Sequence, residues 1–320
     1  MAEYSNSCGK TPLIAVVGPT ASGKTAFAVE IAKRFDGEVI SMDSMQIYKR
    51  LCIGTAKPSP EEMQGIKHHM IDVVEPDEPF NANDYASIAR RTVNDIYLRG
   101  KMPVLCGGTG LYLNSLLYSY NMSEASFDDS LRKQLYDDAE KYGADFLYAK
   151  LQKVDPVSAE QIHPNNVKRV VRALEIYMLT GKPKSEQVTA ERESIFDALI
   201  FGMEWDRDIL YDRINRRVDV MLENVLEKEV RELISAGVLK LRGDASQAGQ
   251  AIGYKEMLEY IDGKISYDDA VEKIKMNSRR YAKRQITWFK RTENIKWMNP
   301  CDDGAVSEAF DIIENFAKRY

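Results

Sequence analysis

At 320 residues, 44% of them hydrophobic and 29% charged, the chain has the size and make-up of a globular enzyme with one large α/β domain and a smaller companion. No apolar run nears the roughly 20 residues of a membrane helix, and Met1-Ala-Glu-Tyr-Ser-Asn6 lacks the basic and apolar regions of a signal peptide, so no membrane association and a cytoplasmic location are expected. Cys8, Cys52, Cys106 and Cys301 stand singly with no C-x-x-C pair, which argues against a zinc site or a disulfide framework, and a net charge of −5 argues against a uniformly basic nucleic-acid binder.

In chain order, residues 13–17, 38–41, 70–74 and 103–106 read as strands. Residues 25–35 and 83–98 read as helices, the second opened by Asn83 as N-cap and followed by Gly100. This alternation predicts a parallel, doubly wound sheet with ligands at the carboxyl ends of its strands. From about Ser115 the pattern turns helical, over 130–142, 145–154, 156–162 and 165–180, so residues 115–193 read as an inserted helical domain between core segments 1–114 and 194–320. A strand over 197–203 returns to the sheet, and helices follow at 206–222, 224–236, 249–262 and 267–291. Residues 293–320 read as an amphipathic tail with no assigned role.

Directly after the first strand lies Gly18-Pro19-Thr20-Ala21-Ser22-Gly23-Lys24-Thr25, a full match to G-x-x-x-x-G-K-[ST]. Its glycines let backbone N–H groups curl toward a phosphate, the helix that follows adds its positive end, Lys24 adds a charge and the Thr25 hydroxyl can hold Mg²⁺. The fold class expected is therefore a P-loop NTPase-like parallel sheet flanked by helices, with the all-helical insertion. Asp43 and Gly107-Gly108-Thr109-Gly110 follow strand ends on the same edge. Near the other end, Lys273, Lys275, Arg279, Arg280, Lys283, Arg284, Lys290 and Arg291 fall in a stretch without one acidic residue, which reads as a polyanion-binding face.

Several segments together resemble one family, the tRNA dimethylallyltransferases, also called tRNA isopentenylpyrophosphate transferases. They are the phosphate loop, Asp43-Ser44-Met45-Gln46-Ile47-Tyr48, 53–58 (IGTAKP), 68–72 (HHMID), 107–112 (GGTGLY), 172–175 (RALE), 250–256 (QAIGYKE) and 283–290 (KRQITWFK), in the family's order. The resemblance implies transfer of a five-carbon isoprenoid from dimethylallyl pyrophosphate to the exocyclic amine of an adenosine beside the anticodon of tRNA, with Mg²⁺ as cofactor. The absence of paired cysteines is similar to the bacterial members, which lack a zinc finger. It further implies catalytic roles for Asp43, Thr109 and Arg217, and tRNA contacts for Asp43, Ser44, Met45, Gln46, Lys168, Arg169, Arg172, Lys283, Arg284, Gln285, Thr287, Trp288 and Lys290. No stable protein partner is expected, and a monomer is the default.

Under that resemblance the residue types suit the chemistry. Loop amides, Lys24 and Mg²⁺ on Thr25 would stabilise a leaving pyrophosphate, although the same loop suits ATP. An aryl amine must shed a proton as it attacks, and Asp43 is the candidate base; it could also be a metal ligand or a helix cap. Arg217 would otherwise be an exposed helix arginine, Thr109 part of a tight turn, and Trp288 either a base-stacking or a core residue. Adjacent His68 and His69 read as structural rather than metal-ligating. A metabolite kinase, a nucleotide switch and a prenyltransferase acting on free adenine nucleotides are the competing readings.

Overall fold

The run Pro12–Val17 (β1) is buried along its whole length, as a strand covered on both faces must be. In the computed structural model, which describes residues 9–118, 128–188, 193–244 and 246–320, β1 lies inside a six-stranded parallel sheet. Two units divide the chain: one holds residues 1–117 with 194–320, the other residues 118–193.

In the larger unit, α1 (Lys24–Arg34) leads to β2 (Gly37–Met42), the short α2 (Pro60–Met63) to the two-residue β3 (His68–His69), and α3 (Ala82–Leu98) to β4 (Met102–Gly107) and α4 (Gly110–Leu117). The chain returns through β5 (Asp197–Met203). The strand order is β3-β2-β4-β1-β5 with a sixth strand outside β5. Helix α4 extends to Leu117, so residues 115–117, read from sequence as insertion, belong to the larger unit.

Three expectations are corrected here. Residues 70–74 are no strand: Met70 and Asp72 have φ of 61° and 56°, and Val73 N–H turns to Ile47 O at 2.8 Å instead of to a sheet neighbour. Helix α3 starts one residue earlier than expected, and its cap is Asn81, whose side chain accepts from Asn83 N–H and Asp84 N–H while Asp84 answers the Asn81 N–H. The expected helix over 249–262 starts only at Tyr254, because 246–251 form hydrogen-bonded turns ahead of Gly253 at φ 96°.

The smaller unit holds α5 (Asp129–Tyr142), α6 (Ala144–Val154), α7 (Pro156–Gln161), α8 (Val167–Thr180) and a 3₁₀ turn at Lys184–Val188. Leu135, Leu147, Leu151, Val170, Val171 and Leu174 form its own core. The carboxylate of Glu175, fully buried, is held there by Arg132 and Arg172 at 2.9 Å and 2.7 Å.

After β5 come α9 (Arg207–Glu223), α10 (Leu226–Ser235), α11 (Tyr254–Ile261) and α12 (Tyr267–Phe289). The tail left without a role is structural: β6 (Ile295–Met298) pairs with β5 at the sheet edge, and α13 (Ala305–Ala317) buries Phe310, Ile313 and Phe316 against Phe27 and Ile31 of α1. No helix among the described residues is long and apolar enough to cross a membrane.

Candidate functional site

Strands β2, β4 and β1 are neighbours, so the three loops leaving their carboxyl ends meet above the sheet. From β1 comes the phosphate loop. It needs backbone that L side chains avoid: Gly23 closes it at φ 85° in the left-handed region and starts α1. From β2 comes Asp43, and from β4 the turn carrying Thr109. Gly107 lets the last two meet, since a Cβ there would lie 2.1 Å from Met42 O. Thr109 N–H donates to Met42 O at 3.2 Å, and its Oγ1 accepts from Ser44 N–H at 3.1 Å.

Asp43 is thereby oriented. Its Oδ1 accepts from Met45 N–H (2.8 Å) and Gln46 N–H (3.3 Å), and Oδ2 has no hydrogen bond among the described residues. An aspartate so arranged keeps one oxygen for its own turn and one for the cavity that it lines.

Helix α9 supplies a second wall. Arg217 donates from Nη1 to Thr20 Oγ1 at 2.7 Å, which replaces the exposed-arginine alternative with a contact on the loop itself. One turn earlier Arg213 donates to Ala21 O at 2.9 Å while its guanidinium lies over the Trp205 ring, and Trp205 donates to Ser22 O at 3.0 Å. Neither Arg213 nor Trp205 is singled out by the sequence reading. The i, i+4 spacing of Arg213 and Arg217 was the available signal, because it sets both on one helix face.

Lys24 donates to Pro19 O at 2.6 Å, and burial pulls its pKa down to about 8, with Arg217 adding repulsion. Burial likewise lowers Arg217 and pushes the Cys106 thiol beneath the loop up to about 11. Two cations thus face a cavity of about 700 Å³ that Thr25, Asp43, Thr109 and the stacked Tyr112 also line. Tyr281, Gln247 and Gln250 line it too and were also missed.

His68 and His69 serve the framework: His68 Nδ1 is bonded to Ile66 O at 2.9 Å and His69 Nε2 to Glu38 at 2.7 Å. The Glu38 carboxyl, held by the bidentate Arg99, is lowered to about 2.

The candidate RNA residues fall in three places. Ser44, Met45 and Gln46 line the cavity. Lys168 and Arg169 are exposed at the start of α8, where Arg172 is drawn onto Glu175. On α12, Lys283, Arg284, Thr287 and Trp288 are exposed, as is Lys290 at its C-cap, whereas Gln285 is 5% exposed. The acid-free face is smaller than it reads: Lys273 meets Glu259 (3.0 Å), Lys275 meets Asp219 (2.7 Å) and Lys290 meets Glu204 (3.4 Å). Among the described residues Arg279, Arg280, Lys283, Arg284 and Arg291 pair with no acid, Arg279 being hydrogen-bonded to the neutral Asn215 at 2.6 Å.

A family model described as IPP transferase matches residues 46–292, a span that starts after the phosphate loop and Asp43. A tRNA dimethylallyltransferase of Thermoanaerobacter sp. is 49% identical over 289 residues, 89% of this chain and 90% of that one. One of Oceanobacillus iheyensis is 45% identical over 96% of both. Among solved structures, the full-length tRNA isopentenylpyrophosphate transferase of Bacillus halodurans is 44% identical with a TM-score of 0.72 over 97% of both chains. A eukaryotic dimethylallyltransferase caught acting on tRNA is 32% identical, TM-score 0.83, over 96% of this chain and 80% of that one. With three-quarters of its length inside the family match and relatives this similar, the chain belongs to the IPP transferase family of tRNA dimethylallyltransferases.

Proposed function

We propose that this chain transfers the dimethylallyl group of dimethylallyl pyrophosphate to the exocyclic N6 amine of the adenosine 3′ to the anticodon in tRNA, with release of pyrophosphate. The observation that carries the reading is the meeting of phosphate loop, Asp43, Thr109 and Arg217 around one cavity. The donor's C1–O bond breaks and its electrons leave with pyrophosphate, while N6 forms the new bond to C1 and passes a proton to Asp43 Oδ2. Asp43 suits that task because its other oxygen is already committed.

Charge on the leaving pyrophosphate grows against the loop amides, Lys24 and Arg217, which are fixed before the substrate arrives and need no rearrangement. The Thr25 hydroxyl, an oxygen donor at the cavity, fits a hard divalent cation and would hold Mg²⁺. When bound, that ion supplies further positive charge to the pyrophosphate oxygens. The acceptor adenosine must leave its stack to bring N6 to Asp43 in the cavity, so the RNA is opened, with Ser44, Met45 and Gln46 at the base and Lys283, Arg284, Thr287, Trp288 and Lys290 along the backbone. Lys168, Arg169 and Arg172 of the helical unit are proposed to grip the anticodon stem-loop.

The test is transfer of label from radioactive dimethylallyl pyrophosphate with Mg²⁺ and without ATP, into unmodified tRNA with an A-rich anticodon loop or into AMP, ADP or ATP. Label in tRNA alone is expected. Label in free nucleotide alone would overturn the acceptor, and none from a folded sample would overturn the reaction.

A further inference from the structure

Gln285 sits in the middle of a basic, exposed stretch of α12, yet it is turned inward and both ends of its amide are engaged. Its Oε1 accepts from Thr20 N–H at 2.8 Å, and its Nε2 donates to Gly108 O at 3.0 Å. One side chain thus bridges the phosphate loop to the turn that carries Thr109. Its helix neighbours on the same face extend the contact: Tyr281 lines the cavity with Thr109, and Trp288 lies so close to Gly110 that a Cβ there would come within 2.1 Å of its ring. Tyr281, Gln285 and Trp288, spaced i, i+4, i+7, therefore follow Thr109, Gly108 and Gly110.

We infer that Gln285 is a positioning residue which sets the phosphate loop against the Asp43–Thr109 side of the cavity, rather than a contact to RNA. The inference rests on the reading of the cavity as a pyrophosphate-donor site. Thr20 shows how the positioning works. Its N–H is held by Gln285 and its hydroxyl by Arg217, so the same residue that fixes the loop presents the arginine. Without Gln285 the Thr20 N–H and Gly108 O lose their partners inside the site, and the spacing between leaving group and base is no longer held.

The test reads binding of inorganic pyrophosphate, binding of tRNA without donor, and steady-state kinetics, for wild type, Gln285→Ala, Gln285→Met, Gly108→Ala and the double variant Gln285→Ala with Gly108→Ala. Losing two buried hydrogen bonds should weaken pyrophosphate binding and kcat/KM for the donor about tenfold or more, and tRNA affinity with its salt dependence should stay within about twofold. Gln285→Met fills the space without the hydrogen bonds and should behave as Gln285→Ala does. Gly108→Ala should reproduce the defect from the other side, because its Cβ would fall 2.0 Å from Gln285 Nε2. In the double variant that clash is gone, so the two effects should not add. Normal pyrophosphate binding by Gln285→Ala, rescue by Gln285→Met, additive effects, or a loss of tRNA affinity instead would each overturn the inference. A wild-type protein that binds no pyrophosphate would overturn the donor-site reading instead.

Discussion

Replacing Lys24 with methionine should make the ligand-free protein more stable while abolishing donor binding. Moving the ammonium from its ordinary 10.5 to about 8 costs the charged form about 3 kcal/mol at neutral pH. Methionine removes that cost and keeps the stem's bulk, but forfeits the hydrogen bond to Pro19 O, worth about 1 kcal/mol, so the net gain is about 2 kcal/mol at pH 7. The folded-state value lies below the unfolded one, so the unfolded chain holds the extra proton between about 8 and 10.5. Wild-type stability therefore rises with pH across that window, and the advantage of Lys24→Met shrinks, passing through zero before the upper end, where the lost hydrogen bond leaves the variant slightly less stable than wild type. Guanidinium unfolding at pH 7, 8, 9 and 10, followed by tryptophan fluorescence, measures it. Trp205, Trp288 and Trp297 all belong to the larger unit, and Trp205 is bonded to the loop through Ser22 O. A bound pyrophosphate needs the charged form, so wild-type donor affinity should fall by up to about tenfold per pH unit above about 8. A variant less stable than wild type at pH 7, or an advantage that does not change with pH, would refute the account of a strained buried cation waiting for an anion.

Asp43→Asn should leave tRNA and pyrophosphate binding in place and lower kcat by about 10²–10⁴, as loss of a general base does; single-turnover label transfer reads it, and near-normal turnover removes Asp43 from that role. Lys283→Ala with Arg284→Ala should raise KM for tRNA and flatten the plot of log affinity against log salt by about 1.5 if each cation meets one phosphate; an unchanged slope would take α12 off the RNA. Phe310→Ala empties a site that is 6% exposed and edge-on to Phe27, so a loss of about 3–5 kcal/mol is expected in the unfolding of the larger unit, with turnover per folded molecule unchanged. A loss below about 1 kcal/mol would return α13 to the status of an appended tail.

What could be read in advance was whatever is local in the chain. Strand β1, the loop and the start of α1 are contiguous, and each carries its own signal: an apolar run, glycines where φ must be positive, a lysine and a threonine at fixed offsets. Asp43 and Thr109 followed by topology, because parallel strands deliver their carboxyl ends to one edge. Strand β6 escaped for the opposite reason. It is four residues long, only Met298 is buried, and as an edge strand it gets its identity from β5 and not from its own pattern. Residues 70–74 misled in the same way, apolar enough for a strand but spending their hydrogen bonds on the 46–47 loop.

The basic helix shows why charge counted along a chain differs from charge in space. Residues 273–291 contain no acid, yet Glu204, Asp219 and Glu259 arrive from three other places and neutralise three of the eight cations. What survives is unevenly placed: the free cations cluster around Lys283 and Arg284, and between them and Trp288 the helix turns Gln285 into the site. The family resemblance grouped Gln285 with its neighbours as an RNA contact, whereas helical periodicity separates residues one apart by about 100° and brings 281, 285 and 288 to one side. The same helix therefore carries Lys283 exposed away from that side, Arg284 exposed yet also lining the cavity, and Gln285 holding the loop and the Thr109 turn. Because Gln285 is engaged by Thr20 and Gly108 while Lys283 is exposed, loss of the outer charge should appear as an acceptor defect and loss of Gln285 as a donor defect.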